Sequence, residues 1–280
     1  MNNVPTASPT PRRLMLCGLI LGLFTPSAGF AIAPTEADPA KIMTAVENRD
    51  TGDKMISRMQ MTITDGAKRS RVRVVRSRTM KFGAATKQIM FFESPADIRN
   101  TAMLSVDYDD GGKDDDQWLY LPSLHKSTRI SSSDKSGSFM GSDFTYSDMT
   151  KKDPKNYSYI LLAQSVTFRG EDCWKIEARP STAKEKRETG NVKSVMLINK
   201  SKLLPVKVKS WVREGKKLKL MIAGDIRKVG GLWLPHKMAI RTVRGKKVQS
   251  TTVLKFLSIK VSDKSVKAAD FSQRRLEKGI

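Results

Sequence analysis

Apolar and polar residues alternate with a period of two through most of the sequence, and this pattern constrains the fold more than any other feature. In the first such segment Met59, Met61 and Ile63 alternate with polar residues, and an Asp65-Gly66 pair then leads into a second segment. This alternation is typical of strands with one buried face, and Asp-Gly is a turn signal of antiparallel hairpins. About a dozen such segments predict a mainly β fold, built as an antiparallel sheet, sandwich or barrel.

Turns that contain glycine separate many segments in the second half of the chain. The strands predicted after the first hairpin are 86–92, 101–108, 117–121, 157–168, 173–179, 192–199, 205–212, 217–227, 233–243 and 247–260. A sheet of this many strands must curl, which leaves a concave face that needs cover. Two segments can serve as lids: a helix predicted over 38–50, capped by Asp38, and a long ordered loop over 131–150. A short helical turn is predicted over 263–270.

The first 31 residues have the arrangement of a secretory signal peptide. Arg12 and Arg13 precede an apolar run at 14–24, and small residues follow as far as Ala31. The run is shorter than the roughly 20 residues needed to span a bilayer, so we expect cleavage after Ala31 and export, with retention as an anchor as the alternative. The predicted division is a signal peptide over 1–31, an N-terminal helix and linker over 32–53 and one β domain over 54–280.

The sequence is strongly basic, with 51 Lys and Arg against 28 Asp and Glu and a formal net charge of +23. Such a charge favours nucleic acid or an anionic membrane as a partner. An exported protein rarely meets nucleic acid, so we expect an anionic membrane surface and no nucleic acid.

Basic residues alternate with apolar ones in several strands, which predicts one cationic and one apolar face. Examples are Val206-Lys207-Val208-Lys209 and Leu218-Lys219-Leu220. On the strand after the first hairpin, we expect the arginines on one face and the valines on the other: Arg69, Arg71 and Arg73 opposite Val72 and Val74. The cationic face either is a solvated exterior or attracts anionic headgroups or an acidic partner.

Residue types that support catalysis or metal binding are scarce. The only histidines are His125 and His236, and Cys173 is the only cysteine after the signal peptide. These numbers exclude an internal disulfide and argue against a zinc site or a nucleophile–histidine pair. Six aspartates between 107 and 116 form either a calcium site or a solvated hairpin tip. We therefore expect no catalysis, no cofactor and no resident metal.

Methionine is frequent among the apolar residues of the predicted strands, at positions 59, 61, 90, 103, 196 and 221. Its flexible side chain is over-used at adaptable apolar binding surfaces. The apolar face is therefore either a core filled with flexible side chains or, in part, a cavity for acyl chains.

Several stretches resemble the outer membrane lipoprotein-sorting protein family, which belongs to the LolA/LolB-like superfamily. They are DDQWLYLP at 115–122, the run at 129–149 that contains FMGSDF, LLPVKV at 203–208 and GLWLPHKM at 231–238. The resemblance implies an open antiparallel half-barrel of about 11–12 strands with a helical lid. It also implies a hydrophobic cavity that shields acyl chains in the periplasm, and an RND-type inner-membrane transporter as a partner.

Candidate residues for such a site fall into three groups. Cavity candidates for binding lipid or lipoprotein acyl chains are Met59, Met61, Met90, Phe92, Trp118, Tyr120 and Met196. Candidates for a gate in the loop are Phe139, Met140 and Phe144. Candidates for contact with a headgroup or a partner are Arg69, Arg71, Arg73, Arg129 and Lys135. The aromatic candidates and the loop residues could equally be ordinary core and loop anchors.

The favoured hypothesis is a periplasmic carrier, without catalysis, that passes lipid or lipoprotein acyl chains toward the outer membrane. The alternative is an envelope module that senses lipid and docks to an inner-membrane protein. A secreted hydrolase has no plausible base in the sequence.

Overall fold

The computed structural model describes Met1, residues 32–213 and residues 216–279. The predicted signal peptide and its cleavage site therefore lie outside the described residues. In the described part of the chain, no helix is long and apolar enough to cross a membrane.

Thirteen strands in the described residues form a single antiparallel sheet that does not close. Its order is β6-β5-β4-β3-β2-β1-β13-β12-β11-β10-β9-β8-β7. The strands are β1 (Lys54–Asp65), β2 (Ser70–Lys81), β3 (Ala85–Ser94), β4 (Ala102–Tyr108), β5 (Asp116–Leu121), β6 (Lys126–Arg129), β7 (Tyr157–Phe168), β8 (Glu171–Pro180), β9 (Asn191–Asn199), β10 (Leu204–Val212), β11 (Lys217–Val229), β12 (Leu232–Arg244) and β13 (Lys247–Val261). The predicted open half-barrel is confirmed, and the strand missing from the prediction is the four-residue β6.

Three short helices accompany the sheet: α1 (Pro39–Glu47), α2 (Ala183–Thr189) and α3 (Gln273–Lys278). The predicted cap of α1 is correct, because an oxygen of the Asp38 carboxylate accepts the Ala40 N–H at 2.9 Å. The sequence predicts neither α2 nor α3. Within the turn predicted over 263–270, the helical part is the 3₁₀ turn Ala268–Asp270.

The sheet has two faces, which we name by what covers them. The inner face carries residues 131–150 and α1, and the outer face carries the C-terminal segment with α3. Residues 131–150 cover a cluster built from β1 to β4, β12 and β13, whereas α1 packs Ile42 and Val46 against Trp174 and neighbouring residues of β8 and β9. On the outer face, Leu276 of α3 packs against residues of β3, β4 and β5.

The chain connection explains why residues 131–150 lie on the inner face. Strands β6 and β7 follow one another in sequence but form the two opposite edges of the sheet. The segment that joins them must therefore cross the whole sheet, and it does so over the inner face.

The prediction of one cationic and one apolar face is wrong for two strands. On β2, Arg73 pairs with Met61 of β1 and lies buried on the inner face, whereas Val72 is 48% exposed. On β11, Lys219 and Met221 lie on the inner face. Leu218 and Leu220 therefore lie on the outer face. Both strands alternate as predicted, but Arg71 and Arg73 of β2 and Lys219 of β11 lie on the inner face.

Candidate functional site: a cavity on the inner face

Residues 131–150, which we call the cover of the inner face, contribute buried side chains to the hydrophobic core. Phe139 and Phe144 are 2% and 4% exposed, and they pack in one cluster with Met61 and Phe92. The ring centroids of Phe139 and Phe92 are 6.0 Å apart. In the structure these two phenylalanines anchor the cover, and Met140 packs partly buried against the same cluster. The gate role of the three residues stays a prediction.

Asp143 ties the same segment to the sheet. Its carboxylate accepts hydrogen bonds from the hydroxyls of Thr242, Ser250 and Thr252, the last at 2.7 Å. Its backbone N–H donates to Thr252 Oγ1 at 2.9 Å, and its carbonyl accepts from Lys219 Nζ at 2.7 Å. The FMGSDF run thus joins the cover to β11, β12 and β13 through a single aspartate.

Two of the predicted headgroup contacts are instead internal. Arg73 is 8% exposed, donates to the Met140 carbonyl and lies 5.9 Å from the centroid of the Phe92 ring. Burial lowers the pKa of Arg73. Lys135 is 2% exposed and pairs with Glu188 of α2 at 3.2 Å. Because burial removes both cations from the surface, neither is available to a membrane headgroup.

The other three predicted headgroup residues are exposed. Arg69 lies in the turn between β1 and β2 and pairs with Asp65 at 2.8 Å, and Arg71 follows it on β2. Arg129 at the end of β6 pairs with Asp116 of β5.

A cavity of about 1090 Å³ lies beside the cover. It is bounded by residues 133–148, by the end of α1, by α2 and by the inner face of β7 to β13. This volume is slightly above the usual range of small-molecule sites, about 300–1,000 Å³.

An apolar row of cross-strand neighbours crosses the cavity wall. Met196, Val208, Met221 and Ile240 pair in turn across β9, β10, β11 and β12. All four line the cavity, and Met238 extends this surface by one position along β12.

A polar row lies two residues away along the same strands. It runs through Ser194, Ser210, Lys219, Thr242 and Ser250, again as cross-strand neighbours. The hydroxyls of Ser194 and Ser210 are 2.8 Å apart, and burial lowers the pKa of Lys219. The wall therefore changes from apolar to polar along the strand direction.

Six basic and three acidic residues line the cavity. Each acidic residue either accepts hydrogen bonds or has a raised pKa. The basic residues are Lys152, Lys186, Arg187, Arg213, Lys217 and Lys219, and the acidic ones are Glu47, Asp143 and Asp148. Burial at the end of α1 raises the pKa of Glu47 to about 7, against a lowering effect of Arg49 and nearby lysines. Asp148 accepts the Thr145 N–H at 2.7 Å.

A cluster of titratable groups borders the α1 end of the cavity. Tyr157 donates its hydroxyl to Glu185 at 2.5 Å, and burial together with that carboxylate raises the pKa of Tyr157. Burial and the neighbouring Asp115 raise the pKa of Asp107 to about 6. The hydrogen bond between Tyr157 and Glu185 joins β7 to α2 beside the cavity.

Most of the predicted cavity residues lie elsewhere in the fold. Met59, Met61, Met90 and Phe92 come together, but beneath the cover in the cluster of Phe139. Trp118 and Tyr120 share one strand face as expected, but it is the outer face, where they pack with Leu276 of α3. Of the seven predicted residues, Met196 lines the cavity.

Val208, Met221, Met238 and Ile240 are cavity residues that the sequence prediction missed. Strand alternation could have indicated them, because each of these residues lies on the same face of the sheet as Met196. The strand order that makes them neighbours was not known from the sequence.

The acidic segment at 107–116 is a hairpin tip tied to nearby cations. Asp114 pairs with Lys184 of α2, and Asp109 lies 3.9 Å from Lys151. Within residues 32–213 and 216–279, no group of three or more His, Cys, Asp or Glu side chains is placed to hold a metal ion.

Comparison with known proteins places the chain in a family. A family model described as "Uncharacterized protein" matches residues 84–278, well over half of the sequence. The chain belongs to this family. No curated protein matches the sequence significantly.

Solved structures confirm the resemblance found in the sequence. A domain from Vibrio parahaemolyticus, described as belonging to an outer membrane lipoprotein-sorting protein, is 29% identical with a TM-score of 0.75. A DUF1329 family protein from Desulfovibrio piger is 26% identical with the same TM-score. Each match covers 85% of this chain and 97% of the other.

A LolA superfamily protein from Nitrosomonas europaea is 16% identical, with a TM-score of 0.60 over 85% of this chain and 98% of that one. At this identity the match shows a shared fold. The family member described here therefore has a LolA-like half-barrel.

Proposed function

We propose that this family member is a carrier without catalytic activity, which binds lipid or lipoprotein acyl chains in the inner-face cavity. The observation that carries the proposal is the apolar row of Met196, Val208, Met221 and Ile240 in a cavity of about 1090 Å³. Burying an acyl chain there gains about 0.8 kcal/mol per methylene, so a chain of ordinary length supplies ample binding energy.

The LolA-like fold and the similarity to a protein described by lipoprotein sorting support this proposal. We further propose that the protein acts in the periplasm after removal of residues 1–31, and that it passes its cargo toward the outer membrane. An RND-type transporter in the inner membrane and an anionic membrane surface are its proposed partners.

Met196 remains a proposed contact for the acyl chain, now together with Val208, Met221 and Ile240. The phenylalanines of the cover have a different proposed role: Phe139 and Phe144 hold one wall of the cavity in place.

The alternative function is a lipid-sensing module that docks to an inner-membrane protein. It would use the same cavity but differ in stoichiometry, since a sensor binds its lipid substoichiometrically.

The test is native mass spectrometry of mature protein purified without detergent, followed by exchange with a fluorescent fatty acid. We expect a bound amphiphile that exchanges with the probe. Met221→Asp places a charge in the apolar row and should weaken probe binding at least tenfold, as about 1.4 kcal/mol of lost burial corresponds to a factor of ten.

The matched control is Leu220→Asp, one residue away on the outer face of β11. It should leave probe binding unchanged. The absence of any co-purified or exchangeable amphiphile from the wild-type protein would refute the carrier proposal.

A further inference from the structure

The cavity has a cationic end as well as an apolar one. Lys186 and Arg187 lie on α2, Arg213 follows β10, and Lys217 begins β11. The Arg213 N–H donates to the Gly190 carbonyl at 2.9 Å, so the end of β10 is fixed beside the end of α2. The four cations therefore gather at one end of the cavity.

These cations lack acidic partners in the part of the chain that the structure describes. The two glutamates of α2 are engaged elsewhere: Glu185 accepts from Tyr157, and Glu188 pairs with Lys135. None of the four cations forms an ion pair with a described carboxylate. An anion at this end would meet positive charge that the carboxylates of residues 32–213 and 216–279 do not pair with.

The cationic and apolar ends of the cavity are separated by a short stretch of β11. Lys217, Lys219 and Met221 occupy alternate positions on β11 and line the cavity in that order. At about 3.3 Å per residue, Lys217 lies about 13 Å from Met221 along the strand. The hydroxyls of Ser194 and Ser210 fill the intermediate level beside Lys219.

We infer that the cargo is an amphiphile with an anionic headgroup, phosphate or carboxylate, held by Lys186, Arg187 and Lys217 with its chain along Met221 and Val208. This inference rests on the proposed carrier function and adds the charge and the orientation of the ligand. The basic residues of α2 and β11 then act in ligand selection.

Binding of three probes by isothermal titration tests the inference: dodecyl phosphate, dodecanol and inorganic phosphate, each amphiphile below its critical micelle concentration. We expect dodecyl phosphate to bind more tightly than dodecanol, and its affinity to fall with added salt. Inorganic phosphate should bind too weakly to detect, because it lacks the apolar contacts.

The decisive variant is the triple substitution Lys186→Gln, Arg187→Gln and Lys217→Gln. It should weaken dodecyl phosphate binding about tenfold, because three cations that meet the headgroup are removed, and leave dodecanol binding unchanged. The control triple, Lys207→Gln, Arg241→Gln and Lys255→Gln, removes the same number of lysines and arginines from exposed positions of the outer face. It should bind both amphiphiles as the wild type does.

The outcomes separate the inference from the carrier function. Equal binding of the two amphiphiles, or equal effects of the two triple variants, would overturn the inference and leave the carrier function standing. Inorganic phosphate that binds as tightly as dodecyl phosphate would mark a site for a free anion and overturn it as well. Failure of both amphiphiles to bind would overturn the carrier function itself.

Discussion

Asp143 gives a physical reason for the most distinctive run in the sequence. Its carboxylate gathers three hydroxyls from β12 and β13, among them Thr242 and Thr252, which are 8% and 0% exposed. A buried carboxylate satisfied by several donors is far more costly to replace than an exposed one. The requirement for an aspartate between the two anchoring phenylalanines therefore follows from the geometry of the cover.

Asp143→Asn should lower the free energy of unfolding by about 2 kcal/mol, because charge-assisted hydrogen bonds are lost within a buried site. Urea denaturation measures this loss, and hydrogen exchange should show faster opening of residues 131–150. Asp134→Asn in the same segment is the control, since Asp134 is exposed and bonds locally to Ser131 at 2.6 Å. Equal stability of the two variants would contradict the role assigned to Asp143.

At the scale of strands and helices, period-two alternation located the strands but not which of their faces lies inside. Alternation shows that the two faces of a strand differ, and on most strands the apolar side is the buried one. On β11 the inner face borders a cavity, which tolerates lysines, while the leucines Leu218 and Leu220 lie outside. A single sequence holds no sign of this inversion, because it depends on which strands are neighbours.

Short elements escaped prediction for a different reason. β6 has four residues, α2 has seven and α3 has six. Segments of this length contain too few turns or alternations to show a period, and tertiary contacts stabilise them. The resemblance of 129–149 to a known family marked a special segment, but the burial of its Phe139 against the sheet became visible only with the topology.

Substitutions of buried residues in the cover should lower stability as substitutions in a hydrophobic core do. Phe139→Ala removes a buried ring that contacts Phe92 and Tyr146, so we expect a loss of about 3–5 kcal/mol in the free energy of unfolding. Leu124→Ala, at a position 65% exposed, should change stability by less than about 0.5 kcal/mol. Thermal and urea unfolding measure both. A Phe139→Ala variant with wild-type stability and altered ligand exchange would favour the gate interpretation.

On the scale of the whole molecule, the positive charge is divided between two surfaces with different neighbours. One group, which includes Lys217 and Lys219, faces the cavity, and another, which includes Lys207 and Arg241, is spread over the outer face of β10 to β13. Trp211 lies on that outer face between Lys193 and Lys209, with the two ammonium groups 4.9 and 4.6 Å from its ring centroid. Aromatic and cationic side chains together suit the interface of an anionic membrane.

The two groups of charges should be separable in a vesicle experiment. We expect the mature protein to bind vesicles of phosphatidylglycerol and to dissociate as salt rises, because surface charges are screened. Each basic residue near an anionic surface contributes about 1 kcal/mol, so the outer-face triple at Lys207, Arg241 and Lys255 should weaken vesicle binding by roughly 100-fold. The cavity triple at Lys186, Arg187 and Lys217 has the same net charge and should bind vesicles nearly as the wild type does. Equal losses in both variants would show that total charge, rather than the outer face, governs attraction to the membrane.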